Sequence, residues 1–291
     1  MQSRFIAASA FALSGFLPIS AAFAQMAEAP AAAPAPAPAP AAAATPGTTF
    51  GDFTLTGNAG LFTDYRFRGF TQTNYKPAFQ GGFDLSHASG FYIGNWNSNV
   101  EQNLYRGASL EMDFYGGYKY TFLEDFTLDV GYYYYYYPTK KSAGGGYQGF
   151  DKKAEEGEAY VGLSWKTFSV KYWYATTNYF GLGDSFLGGP SVNTKGSSYV
   201  DLNGSYDLGD GWGIVAHYGL QSIHNHGQFV DTSGNTLSKN VSDWKIGGTK
   251  DLAGWLVGVS VIGTSKKEYF GTSSLEAGGK TKVLASVSRT F

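Results

Sequence analysis

The chain has 291 residues, a formal net charge of −2, 17% aromatic residues, 40 glycines and no cysteine. That balance excludes a nucleic-acid binder, which needs a basic domain or stripe, and a fold stapled by disulfides. No run of 18 or more residues is continuously apolar, so no helical membrane span is expected beyond the N-terminus. A membrane barrel stays open, because its strands alternate and average to a hydropathy near zero.

Residues 1–24 read as a secretory signal peptide. Arg4 precedes an apolar run from Phe5 to Leu17, and Ala22-Phe23-Ala24 forms a small-residue cleavage site. Residues 25–50 follow as an Ala/Pro-rich linker. Alternating proline admits neither a helix register nor a sheet ladder, and in extended polyproline form about 20 residues reach up to ~60 Å. The expectation is a periplasmic spacer ahead of a barrel domain over residues 51–291.

From Phe53 onward, period-2 segments are separated by turn residues with no helical stripe. Twelve strands are expected, near 53–67, 77–88, 90–99, 107–121, 125–137, 155–166, 168–178, 196–208, 211–222, 241–251, 254–264 and 280–291, with ten or fourteen as alternatives. Connections such as Lys166-Thr167 and Ala253-Gly254 are brief, whereas those after the fifth, seventh, ninth and eleventh strands are long. Adjacent antiparallel strands put every second connection at the same end. Short turns at one end and long loops at the other are the layout of an all-β, transmembrane, up-and-down barrel with periplasmic turns and extracellular loops.

The strand faces agree. Trp212, Ile214, Tyr218 and Leu220 oppose Gly213, His217 and Gln221, and Val200 and Leu202 oppose Asp201 and Asn203. A carboxylate in mid-strand between apolar neighbours needs a wet lumen on its side. The run from Tyr132 to Tyr137, closed by Pro138, fits the same scheme. Phe126, Leu128, Val130, Tyr132, Tyr134 and Tyr136 share the lipid face, so Phe126 falls at one interface and Tyr134 and Tyr136 at the other. Trp212 and Trp255 join this aromatic girdle. Tyr133, Tyr135 and Tyr137 point inward with their hydroxyls wet or bonded.

The chain ends KTKVLASVSRTF. Its terminal Phe291, with Val283, Ala285 and Val287 on one face, resembles the signal read by the outer-membrane assembly machinery. Arg289 departs from that signal, where an aromatic or apolar residue is usual. Residues 55–100 also resemble the opening of the TorF family of bacterial outer-membrane barrels. The match is carried by Asp64-Tyr65-Arg66, Arg68-Gly69, Pro77-Ala78, the hairpin Gly90-Phe91-Tyr92, and Trp96, Ser98 and Asn99. The resemblance implies an outer-membrane barrel labelled a porin, without a substrate.

An outer-membrane hydrolase is the rival class, since a Ser-His or Asp-His centre can be built on such a barrel. Only His87, His217, His224 and His226 are available: His87 falls at an expected periplasmic turn, His217 in mid-strand with no serine pattern nearby, and His224 and His226 in an expected extracellular loop. No catalytic, cofactor or metal residue is therefore assigned. The expected lumen combines Arg66, Arg68, Lys119, Lys166, Lys171, Lys245 and Lys282 with Asp64, Asp84, Glu111, Asp113, Asp129, Glu158, Asp201, Asp207 and Asp243. Asp64, Arg66, Arg68, Glu111, Asp113, Asp201, His217 and Lys245 are the pore-lining candidates, with Arg66 and Arg68 at the extracellular mouth above an acidic girdle. These residues suggest a weakly cation-preferring porin for small hydrophilic solutes or ions, embedded among outer-membrane lipids. A closed structural or adhesion barrel presenting its loops is the alternative.

Overall fold

The computed structural model describes residues 47–147, 149–183, 191–226, 239–266 and 278–291. The expected signal peptide and most of the linker lie outside the described residues. The end of the linker forms β1 (Thr48–Phe50), a short strand that folds back on β2 (Phe53–Phe62) through Phe50↔Phe53.

Twelve strands then form one closed antiparallel ring. After β2 come β5 (Ala78–His87), β6 (Phe91–Asn99), β7 (Leu110–Phe122), β8 (Phe126–Tyr136), β9 (Glu156–Trp165) and β10 (Phe168–Ala175). The ring continues through β11 (Ser198–Gly209), β12 (Trp212–Ser222), β13 (Asn240–Leu252), β14 (Trp255–Thr264) and β15 (Lys282–Thr290). Each strand pairs with its neighbour in sequence, and β15 closes on β2 through Ser286↔Phe62 to Thr290↔Asn58. Phe291 extends the seam, exchanging both backbone hydrogen bonds with Gly57 at 2.7 and 2.9 Å.

Turn chemistry fixes the short end. Asp210-Gly211 and Ala253-Gly254 both have two consecutive positive φ angles, the twist a two-residue hairpin requires. The expected strand count and face alternation hold. On β12, Trp212, Ile214, Ala216, Tyr218 and Leu220 are exposed while Gly213, Val215, His217, Gly219 and Gln221 are buried. On β8, Val130 and Tyr132 are exposed while Tyr133 and Tyr135 are buried. A ring of exposed Phe, Leu, Val, Trp and Tyr around the whole circumference is surface that only hydrocarbon covers well.

The first strand is a correction. It was expected to run to residue 67 but stops at Phe62. The chain then turns into the barrel and makes a miniature hairpin, β3 (Arg66–Phe67) with β4 (Phe70–Thr71). Arg68 (φ 46°) and Gly69 (φ 84°) form its tip. A side chain at position 69 would press on Asp243 Cβ at 2.7 Å. The seventh strand likewise ends early, at Ala175, and residues 179–181 form a short 3-10 turn.

The alternation predicts an asymmetric response to charge. Val130→Lys places an ammonium on the hydrocarbon side near the midplane, with an expected cost of ~2–4 kcal/mol. Its neighbour Gly131 is no neutral control, because an added Cβ would meet the Tyr160 hydroxyl at 2.4 Å and the Gly116 carbonyl at 2.5 Å. Ser286→Lys, on the inward face of β15, is the fair comparison and should cost much less. Urea unfolding in detergent micelles measures both; equal costs would contradict a barrel with unlike faces.

Candidate functional site in the barrel lumen

The hairpin after β2 is assembled by its own polar residues. Asp64 accepts hydrogen bonds from the hydroxyls of Thr71 (2.5 Å) and Thr73 (3.0 Å) and pairs with Arg66 Nε at 2.5 Å. Arg66 Nη1 also donates to the carbonyls of Gly69, Gly278 and Lys280. One carboxylate and one guanidinium thereby replace the sheet ladder that this stretch gives up by leaving the wall.

From the tip, Arg68 crosses to the opposite wall. Its Nη2 donates to both oxygens of Glu158 on β9, at 2.9 and 2.7 Å, and its Nη1 donates to Gln221 on β12 at 2.7 Å. The guanidinium lies 4.4 Å from the centre of the Tyr199 ring. Arg68 is 3% exposed and Glu158 0%. A bidentate pair at this depth is held by geometry, and removing one partner strands the other charge.

Three carboxylates of the upper lumen, Glu158 among them, accept from phenols. Tyr65 of the hairpin donates to Glu111 at 2.9 Å, Tyr133 to Asp113 at 3.0 Å and Tyr135 to Glu158 at 3.0 Å. Phe67 packs edge-on against Tyr135, and Phe180 from the 3-10 turn packs against both. The outward members of the tyrosine run bond at the rim, Tyr134 to Glu155 (2.8 Å) and Tyr132 with Thr176 (2.9 Å). The inward hydroxyls are therefore bonded to carboxylates.

Lower down, one wall is bulky. Tyr92 donates to Asp129 at 2.6 Å and contacts the Tyr160 hydroxyl, Lys171 pairs with Asp129 at 3.2 Å, and Tyr115 donates to Asp84 at 2.7 Å. The facing wall, β13 to β15, turns Gly247, Gly258, Ser286 and Ser288 inward, all half-buried. At its flank His217 is clamped between Asp201 (Nδ1, 2.9 Å) and Asp243 (Nε2, 2.7 Å). Both ring nitrogens are thus engaged by carboxylates, so neither is offered to a serine.

Among the sequence candidates, Glu111, Asp113, Asp201, His217 and Lys245 lie on inward strand positions. Asp64, Arg66 and Arg68 were expected to line the mouth from the first wall strand and instead sit on the inserted hairpin after it. Lys166 is no lumen residue: it occupies a tight turn at φ 54° and reaches Asp125 at 3.6 Å in the open. The girdle residues Phe126, Tyr134, Tyr136, Trp212 and Trp255 all face outward.

Sequence reading missed Glu156, whose carboxylate is 0% exposed, faces the Phe180 backbone and has no hydrogen bond of ordinary geometry to either oxygen. It missed Arg106 too, which ties three loops through the carbonyls of Lys152 and Gly181 while stacking on Phe150 at 3.9 Å. Gly69, between Arg68 and Phe70, was the one turn-permitting residue in the stretch, but it does not mark where the hairpin goes. Nothing in the spacing of Glu156 marks it out.

These features define a transmembrane β-barrel whose polar lumen is partly filled by its own first loop. The chain belongs to the family described as bacterial protein of unknown function (Gcw_chp), whose model matches residues 45–291. That description carries neither a function nor the TorF name. No curated protein matches. Solved structures similar to this chain include the NanC porin, at 10% identity and a TM-score of 0.47, covering 81% of this chain and 98% of that one. The KdgM porin in complex with disordered oligogalacturonate, at 12% identity and a TM-score of 0.43, covers the same shares. The outer membrane protein OprD from Pseudomonas aeruginosa, at 14% identity and a TM-score of 0.40, covers 83% of this chain and 66% of that one.

The latch makes a double-mutant prediction. Glu158→Gln leaves the buried Arg68 guanidinium short of its charge partner and should destabilise the barrel by ~3–5 kcal/mol. Arg68→Gln with Glu158→Gln should cost less than the two single changes summed, because neither charge is then stranded. Additive costs in equilibrium unfolding would show that the pair does not act as one unit.

Proposed function

We propose that this protein is an outer-membrane, porin-like channel that passes small hydrophilic solutes or ions with a weak cation preference. The reading rests on one observation above others: polar atoms deep in the lumen that have no hydrogen bond of ordinary geometry among the described residues. Both Glu156 oxygens, Trp173 Nε1, Gln80 Oε1, Ser205 Oγ and Arg68 Nε are buried without a hydrogen-bond partner among the described residues. Each unmet group costs on the order of 1–3 kcal/mol in a dry core, so this interior is stable as a wet one.

The path we favour runs along β13 to β15, past the inward Gly247, Gly258, Ser286 and Ser288 that face the tyrosine wall. Its preference for cations follows from Glu111, Asp113, Glu156, Asp201 and Asp243. They outnumber the basic side chains set among them, Arg66, Arg68, His217 and Lys245, and low-dielectric walls focus the field of a charged cleft. Passage is slow because the hairpin and its Arg68 latch narrow the extracellular half. No catalytic role is assigned, and an outer-membrane hydrolase is not the reading we favour.

A closed barrel that displays its loops is the second reading, favoured by the extent to which the hairpin occupies the upper lumen. Planar bilayers decide between the two. We expect a small, steady, cation-preferring conductance whose selectivity fades as salt rises and the Debye length falls from ~10 Å at 0.1 M to ~3 Å at 1 M. Glu111→Gln with Asp113→Asn should reduce the reversal potential in a salt gradient, and Arg68→Gln with Glu158→Gln should raise the conductance. Silence from both wild type and latch variant would establish the closed barrel, and anion preference would contradict the assignment of the carboxylates.

A further inference from the structure

Midway along the outer face, the barrel strands carry aliphatic or aromatic side chains or glycine, with β6 as the exception. Its outward positions run Phe91, Ile93, Asn95, Asn97, Asn99 from the short-turn end to the loop end. At ~3.3 Å per residue and a tilt of ~40°, Asn95 and Asn97 stand about 10 and 15 Å above Phe91, the middle of a ~25 Å apolar band. A primary amide there faces hydrocarbon that can neither donate nor accept. Such groups are rare on lipid faces and mark contact with something polar.

The amides are only partly satisfied within the sheet. Asn95 Nδ2 donates to the Asp113 carbonyl at 2.9 Å, and Asn97 Nδ2 donates to Asn95 Oδ1 at 2.7 Å and to the Gly81 carbonyl at 3.2 Å. Both bonds of Asn97 come from its nitrogen, which leaves Oδ1 without one among the described residues. The surroundings suit close approach. Gly81 is the cross-strand partner of Asn97, and Phe83, 60% exposed, is that of Asn95. Just below, Leu85, Phe91, Ile93, Gly116, Tyr118 and Val130 line an outward groove of about 510 Å³, with room for a projecting ring.

We infer that this face, centred on β6, is the contact between two copies of this chain side by side in the membrane. A two-fold axis along the membrane normal returns every residue to its own depth, so the amide column of one copy meets that of the other. An amide carries both donors and an acceptor, so the column is its own complement, and Gly81 lets the backbones draw near. An acyl chain fits the groove but leaves the amides unmet.

The inference rests on the membrane reading above, and cysteine trapping separates the two. The chain has no native cysteine, so a single Asn97→Cys, oxidised in isolated outer membranes, reports its own neighbours. Non-reducing gels should shift it from the monomer to a band of twice the mass, while Ile246→Cys, outward on β13, should stay monomeric. Met112→Cys, across β7 from Asn97, serves if Asn97→Cys fails to fold. Membrane-inserted monomer at both positions, equal dimer at Ile246, or a mixed band with another protein would each overturn the second-copy contact. Recovery of the wild type in the soluble fraction would overturn the membrane reading itself.

Discussion

The structure depends on a sheet with no edge. Its outer surface is hydrophobic round the ring except for the amides of β6, and in a hydrocarbon layer an unpaired backbone amide has no water to turn to. Every strand must therefore find two neighbours, and the last must find the first. The β15–β2 seam, continued by Phe291 on Gly57, is what makes the other eleven pairings usable. Strand alternation then sorts the side chains, and whatever is polar in mid-strand has only the inside left.

Polar groups sent inward by that rule must satisfy one another or stay wet. The barrel does both. Tyrosine is well suited to the first task, since its ring fills lumen volume while its hydroxyl donates to a carboxylate on another strand. The run Tyr133–Tyr137 supplies two such donors, to Asp113 and Glu158. The hairpin adds two arginines, so acids that would repel one another in a narrow interior are partly neutralised by a segment that is not in the wall. The atoms left over, Glu156 foremost, are the ones that call for water or a passing ion.

The wall was legible in the sequence because period 2 is a geometric property of strands, and turns such as Asp210-Gly211 and Ala253-Gly254 mark two of its reversals. The inward and outward sets on β8, β11, β12 and β14 could be read from alternation alone. The plug could not. Residues 63–67 keep the alternating pattern of a strand, yet Asp64, Thr71 and Thr73 offer one another better bonds inside the barrel than a ladder would offer at the rim. Local pairing with Arg66 and a long-range pair with Glu158 decided the path, and neither is visible as a spacing. Lys166 failed for a simpler reason: a turn residue at positive φ does not continue the face of the strand before it.

Residues 63–73 lie folded within the lumen and are held there by Arg68. Hydrogen exchange on the protein in lipid bilayers tests it without altering the chain. Backbone amides of Thr71, Gln72 and Glu101, bonded to Gly278, Tyr65 and Gln72, should exchange as slowly as those of the barrel strands and far more slowly than the exposed loop at 140–145. Exchange of the hairpin as fast as that loop would place it outside the barrel and leave the lumen open at its long-loop end.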